Sequence, residues 1–311
     1  MKHRSTKPDE RWAAVRPLFQ VRPRLLECRM MGGAWLTSYA VEENDWSYFH
    51  IVVRGECVLE RAPHDRVLLK AGDVVLLPHG DGHIVRAPNA GRGGTGGLRV
   101  ERRDGFRLCE STDFPVETVL IHGSALFQAI PGSVRRAALP DQIILRADSG
   151  LMEGLGAIAG AIQQELAGDR PGNVEIASNL ISVLLLVTLR SHFEAQLSQH
   201  GFPMILGPRA TQQAILAMLK EPAHKWSLDA LASISATSRA TLIRAFKKST
   251  GLTPLAFLTA LRLDLARQKL LFGQDSLAQI ADYVGYSSET ALSRAFLRRF
   301  GVRPGRLLRT E

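Results

Sequence analysis

The strongest constraint on this chain is a stretch that occurs twice in its last third. Ser238-Arg-Ala-Thr-Leu242-Ile-Arg244-Ala245-Phe246 and Ser288-Glu-Thr-Ala-Leu292-Ser-Arg294-Ala295-Phe296 share Ser, Leu, Arg, Ala and Phe at an offset of 50. The same offset carries Gly251 to Gly301, Pro254 to Pro304 and Leu258 to Leu308. Upstream, Leu228, Leu231 and Ala232 match Leu277, Ile280 and Ala281 at an offset of 49, so the intervening turn is one residue longer in the second copy. Agreement at a fixed offset marks a duplicated supersecondary unit.

Each copy reads as helix, short turn, helix. In the first, Leu228, Leu231 and Ala232 form a buried face, Ser235 to Thr237 the turn, and Ser238 an N-cap. Leu242, Ala245 and Phe246 face inward, and Gly251 closes the helix as its C′ residue. Ala240, Ile243, Arg244 and Lys247 recur at i, i+3, i+4, i+7 on the outer face. In the second copy Leu277, Ile280, Ala281 and Val284 lead to a turn at Gly285-Tyr286 and a cap at Ser287 or Ser288. Leu292, Ala295 and Phe296 then face inward, and Thr290, Ser293, Arg294 and Leu297 outward.

A helix-turn-helix offers its second helix to the DNA major groove, where Arg reads guanine and Ser or Thr reads several bases. Lys247, Lys248, Arg298 and Arg299 lie further along and suit phosphates, which position without specifying. Charge supports this. Residues 1–208 balance 23 basic against 23 acidic side chains, whereas residues 209–311 carry 16 against 7, the whole net charge of +9. Such a local excess points to a polyanion. Between the copies, Pro254 opens a helix through Leu271. Its length, about 27 Å at 1.5 Å per residue, would hold two recognition helices about one DNA turn apart, ~34 Å.

These motifs resemble those of the AraC/XylS family of bacterial transcription regulators. Trp226-Ser-Leu-x-x-Leu-Ala, Gly251-Leu-Thr-Pro, Leu261-Arg-Leu-x-x-Ala-Arg, Ile280-Ala-x-x-Val-Gly-Tyr-Ser and Phe300-Gly-x-x-Pro-Gly carry the resemblance, over about residues 209–309. It implies sequence-specific binding of double-stranded DNA. It also implies base contacts from Ala240, Ile243 and Arg244, with Arg239 at the helix start, and from Thr290, Ser293 and Arg294. Two departures stand out. The first recognition helix shows the groove two apolar residues, Ala240 and Ile243, and Leu292 and Leu307 replace aromatics common in the family.

The preceding part has a different texture. Short β-rich runs at 48–53, 57–60, 67–69 and 74–77 are separated by Gly, Pro and Asp turns, as in a sandwich or barrel. Residues 88–97 hold five glycines and read as a loop. Leu151, Leu155, Ile158, Ile162 and Leu166 then form one helical stripe, and a second helix runs from about Val174 to Gln199. This pair either packs on the β part or forms a dimer interface. Residues 199–208 read as a linker. The expected architecture is a multidomain chain: a cupin-like β-barrel over 1–150, a helical linker or dimerisation pair over 151–208, and an all-α domain with two helix-turn-helix units over 209–311.

Gly72-(x5)-Pro78-x-Gly80-(x2)-His83 resembles the second cupin motif, whose histidine is a ligand where a cupin holds metal. The first motif, His-x-His then Glu, is missing, and Glu42-Glu43-Asn44 stands there. His50, His79, His83 and His122 are the remaining metal candidates. A catalytic metal cupin needs three or four convergent ligands, so the residues speak against an enzyme. A cupin sensor of this kind resembles those of a subset of the family that includes cysteine-based sensors of reactive chlorine. That subset often has Cys where this chain has His122.

Cys28 stands beside Arg24 and Arg29, neighbours that would lower its pKa and fit a redox role. Cys57 and Cys109 read as buried strand cysteines, and three cysteines without a CxxC fit a reducing cytoplasm. The N-terminus lacks an apolar signal core, and the apolar run Leu180–Leu189 is short of the ~20 residues a membrane span needs. Double-stranded DNA, RNA polymerase, a small-molecule or oxidant effector and a second copy of the chain are the expected partners, with no membrane. Two alternatives stay open: a metal-dependent cupin enzyme or redox or metal sensor with an accessory DNA-binding domain, and an assembly protein whose cupin only dimerises.

Overall fold

The computed structural model describes residues 20–42, 46–61, 65–89, 96–103, 105–127, 139–148, 154–168, 170–200, 209–272 and 274–307. Much of the 88–97 loop and the 199–208 linker, and Leu151 of the helical stripe, lie outside those residues. The described elements fall into two compact units: eleven strands with the first two helices, and the remaining seven helices.

In the first unit, β1 (Val21–Met31), β3 (Trp46–Arg54), β6 (Val74–Leu77), β8 (Leu98–Arg103), β9 (Phe106–Ser111), β10 (Thr118–Phe127) and β11 (Ile143–Leu145) form one sheet, ordered β11-β6-β3-β10-β1-β9-β8. A second sheet, β2-β7-β4-β5, joins β2 (Leu36–Tyr39), β7 (His83–Arg86), β4 (Glu56–Glu60) and β5 (Arg66–Lys70). Val52, Leu77 and Leu120 from the larger sheet meet Leu59, Leu69 and Val85 from the smaller in one buried cluster, so the core lies between the sheets. This is the expected cupin-like sandwich.

β1 was not legible as a strand. β1 reads VRPRLLECRMM, with a proline and four charges, yet it lies between β10 and β9. Its buried Glu27 is held by Arg29 Nε at 2.6 Å and by Arg107. Paired charges thus replace the polar/apolar alternation that marks a half-buried strand.

Helices α1 (Leu155–Ala167) and α2 (Asn173–His200) pack on each other, and α2 packs on β1, β6 and β11. Asn173–Ala195 is long and apolar enough to cross a membrane by length and composition, longer than the run seen in the sequence. Ala177, Ile181, Leu184, Leu185, Leu189 and Phe193 are buried, which explains its greasiness by packing within the unit.

The second unit comprises α3 (Arg209–Lys220), α4 (Leu228–Ile234), α5 (Arg239–Thr250), α6 (Pro254–Phe272), α7 (Leu277–Val284), α8 (Glu289–Phe300) and α9 (Pro304–Leu307). The long α6 contacts both α4–α5 and α7–α8 pairs' second helices: Phe257 meets Phe246 of α5 edge-on at 5.8 Å, while Leu263, Ala266 and Leu270 join Leu292 and Phe296 of α8 in one cluster.

Candidate nucleic-acid interface

The duplication is visible in backbone detail. Ser238 and Ser288 each cap a recognition helix, accepting from the backbone N–H of Thr241 and Ala291. Gly251 and Gly301 end those helices in the left-handed region, at φ 72° and 71°. The preceding helices stop alike, with Thr237 N–H donating to Ala232 O and Tyr286 N–H to Ala281 O. The left-handed residue is Ala236 (φ 47°) in one copy and Gly285 (φ 77°) in the other. Ser287 is therefore the extra residue of the second turn.

Leu242, Phe246, Leu292, Ala295 and Phe296 are buried, as their spacing predicts, while Ala245 is half-buried. On the outer faces Arg239, Ala240, Arg244, Lys247 and Lys248 of α5, and Thr290, Arg294 and Arg298 of α8, are exposed. Ile243 and Ser293 are half-buried between them. Ala291, Arg294 and Arg298 line one surface concavity of about 350 Å³.

Two arginines of these helices form ion pairs within the domain. Arg239 is ion-paired with Asp229 of α4, which braces the first helix-turn-helix. Arg299 turns away from the outer face and holds Asp264 of α6 at 2.9 Å. Its guanidinium supports the domain, which removes Arg299 from the phosphate set the sequence suggested.

In the β unit, three of the four candidate histidines converge and one does not. His79 Nε2 donates to Leu139 O at 3.1 Å. His83 Nδ1 donates to Asp81 O at 2.9 Å, which leaves its Nε2 as acceptor for His50 Nε2–H at 2.7 Å. His122 stacks on His50 across the β3–β10 ladder, ring centroids 4.7 Å apart, and Tyr39 lies 4.0 Å from His122 and 4.9 Å from His83. Burial holds all three imidazoles neutral, with His83 lowered to about 4 and His50 and His122 well below the ordinary value.

Residues 18–194 match the family described as Cupin, and residues 231–310 match Helix-turn-helix domain. An AraC-like transcription regulator of Streptomyces lividans is 32% identical over 294 residues, covering 94% of this chain and 95% of that one. The chain belongs to the AraC-like transcription regulators. The RCS-specific HTH-type transcriptional activator RclR of Escherichia coli is 28% identical, with 89% of each chain covered. The crystal structure of ToxT from Vibrio cholerae covers 93% of this chain and 96% of its own at 11% identity, with a TM-score of 0.40. As a member of this family, the chain is a DNA-binding transcription regulator with an N-terminal cupin domain and a C-terminal helix-turn-helix domain.

For this AraC-like chain, two further sequence expectations need correction. The four candidate histidines do not make a metal centre: among the described residues no group of three or more His, Cys, Asp or Glu side chains has a geometry that would hold one. His50 and His83 spend their facing nitrogens on each other, and His79 is elsewhere. Cys28 is not poised for redox chemistry either. It is buried, its arginine neighbours are drawn to Glu27 and Glu42, and burial, reinforced by Cys109, pushes its thiol up to about 12.

Sequence reasoning also passed over Arg262. Its side chain donates to Pro222 O at 2.7 Å and His224 O at 2.9 Å, tying the α3–α4 connection to α6. The only signal was its place in the Leu261-Arg-Leu motif.

Proposed function

We propose that this regulator binds two adjacent major grooves of double-stranded DNA, one through α5 and one through α8. The observation that carries this reading is the pair of exposed arginines, Arg244 and Arg294, at equivalent positions of two capped, duplicated helices. Each would read a base edge, with Arg239, Ala240 and Ile243 beside the first and Thr290 and Ser293 beside the second. Lys247, Lys248 and Arg298 would hold phosphates. Ile243 and Ala240 would meet thymine methyl groups.

The rest of the proposal follows from this role. The cupin unit would sense a small molecule and modulate DNA binding in the cytoplasm, without catalysis, and the helical domain would contact RNA polymerase. Exposed Ile176 and Val183, on one face of α2, suit a contact with a second copy. The division 1–150, 151–208 and 209–311 belongs to the same reading.

The test uses an operator fragment found by genome-wide mapping of bound sites. Arg244→Ala and Arg294→Ala should each cost about 1–3 kcal/mol of operator affinity and relax specificity at one position. Unchanged affinity in both variants at fixed salt would overturn the groove assignment.

A further inference from the structure

The described part of the cupin unit has a concavity of about 610 Å³ bounded by β1, β2, β3, β10 and the β8–β9 hairpin. Glu27, Tyr39, Tyr48, Arg102, Arg107 and His122 line it, and its volume is that of an ordinary small-molecule site.

Its charges have an unusual arrangement. Arg102 and Arg107 stand directly opposite each other in the β8–β9 ladder. Like charges at facing positions oppose pairing unless something between them compensates. The one carboxylate on the wall, buried Glu27, does not suffice, because it already accepts from both Arg29 and Arg107. One negative charge thus serves two guanidinium groups, and Arg102 adds a third cation.

Deeper in, the wall is made of planar rings. Tyr39 and Tyr48 flank His122, at ring centroid distances of 4.0 and 5.4 Å. His122 Nδ1 is buried with no hydrogen-bond partner, although its residue is 1% exposed. Tyr39 Oη and His50 Nδ1, beside it, are likewise buried and unmatched, and buried polar atoms left so call for a ligand group or a water.

We infer that this concavity is the effector site and that it takes a small planar organic anion, its oxyanion held at Arg102 and Arg107 and its ring lodged against Tyr39, Tyr48 and His122. Arginine suits this task because its planar fork matches carboxylate and phosphate oxygens. The inference rests on reading the cupin unit as a sensor, and it adds the chemistry of what is sensed. The neighbouring residue Arg103 reaches the carbonyls of Leu166 and Ala167 at 3.5 and 3.4 Å. The hairpin that carries the anion-binding arginines therefore also touches the last turn of α1.

The test is calorimetric titration of the full chain with phenylacetate and phenyl phosphate at matched ionic strength, with neutral phenylacetamide as control. At least one anion should bind saturably and the amide should not. Arg102→Gln, an exposed change, should weaken that binding about tenfold or more, and Arg102→Lys should restore part of it. Absence of saturable binding by either anion overturns the site, as does equal binding of the amide or indifference to Arg102→Gln. Operator affinity is measured separately with and without the bound anion. Binding that leaves it unchanged supports the site and removes the sensing role.

Discussion

Arg299 of the second recognition helix donates through Nε and Nη2 to the same carboxylate oxygen of Asp264, at 3.2 and 2.9 Å. Asp264 lies on the long helix α6 and its side chain is 8% exposed, so the pair fastens α8 to the middle of the domain. The preceding residue, Arg298, stays on the outer face. Two adjacent arginines thus have different tasks.

These tasks separate in two measurements. Arg299→Ala takes one ion-pair partner from a buried carboxylate, and unfolding of the full chain should show a loss of about 1–2 kcal/mol, discounted for the partial exposure of the arginine. Arg298→Ala should leave unfolding unchanged and lower the slope of log affinity against log salt by ~1. The reverse pattern would mean that the two roles have been exchanged.

The two turns make opposite predictions. Ala236 holds a left-handed conformation without glycine's freedom, so Ala236→Gly should stabilise the chain by about 0.5–1 kcal/mol. Gly285→Ala should destabilise it by about 2 kcal/mol or more. Besides a positive φ, a Cβ there would stand 2.6 Å from Ala223 Cα, which cannot move as a side-chain end could. Denaturant midpoints of the two variants, at equal m-values, check both signs.

Acid should loosen the cupin unit before it protonates most carboxylates. His50, His83 and His122 are neutral when folded because burial lowers their pKa values, and His83 falls from 6.5 to about 4. The unfolded chain binds protons on these groups below about 6.5, so their effect is absent at neutral pH. Stability then falls as pH drops from about 6.5 towards 4, by about 3 kcal/mol for His83 alone. In His83→Gln the slope of stability against pH should be shallower over that window.

Cys28 and Cys57 should resist alkylation in the native chain. Burial raises both thiols to about 12, so near pH 8 only about one molecule in ten thousand carries the thiolate. Mass spectrometry after iodoacetamide treatment should show both modified only once denaturant is added. Rapid native labelling of Cys28 would return it to the set of redox candidates.

The helix-turn-helix domain was largely legible in the sequence because its determinants are local. Caps, C′ glycines and apolar spacing act within one or two turns, and their repetition after 50 residues made each copy a check on the other. The DNA-facing stripe followed from the buried one, since a helix with one face in a core turns the other to solvent. The later hairpin strands β3 to β6 were also readable, because each is short and closed by a turn residue.

Other features depend on contacts between residues far apart in the chain. The strand character of β1 depends on neighbours about eighty to one hundred residues away, which pair its backbone and neutralise Glu27. The sequence placed Arg299 among the phosphate contacts because spacing cannot show that Asp264 is nearer. It offered Cys28 a lowered pKa because Arg24 and Arg29 are adjacent in sequence, whereas the fold buries the thiol and gives those charges to Glu42 and Glu27. It counted four candidate histidines, and only the fold shows that three meet, His50 hydrogen-bonded to His83 and stacked on His122. By itself, the sequence determined the duplicated helices, their caps and the face they turn to DNA, because these follow from the period of one helix. The tertiary structure decided which charges remain available and which buried polar groups are matched, because those depend on what the fold brings within a few ångströms.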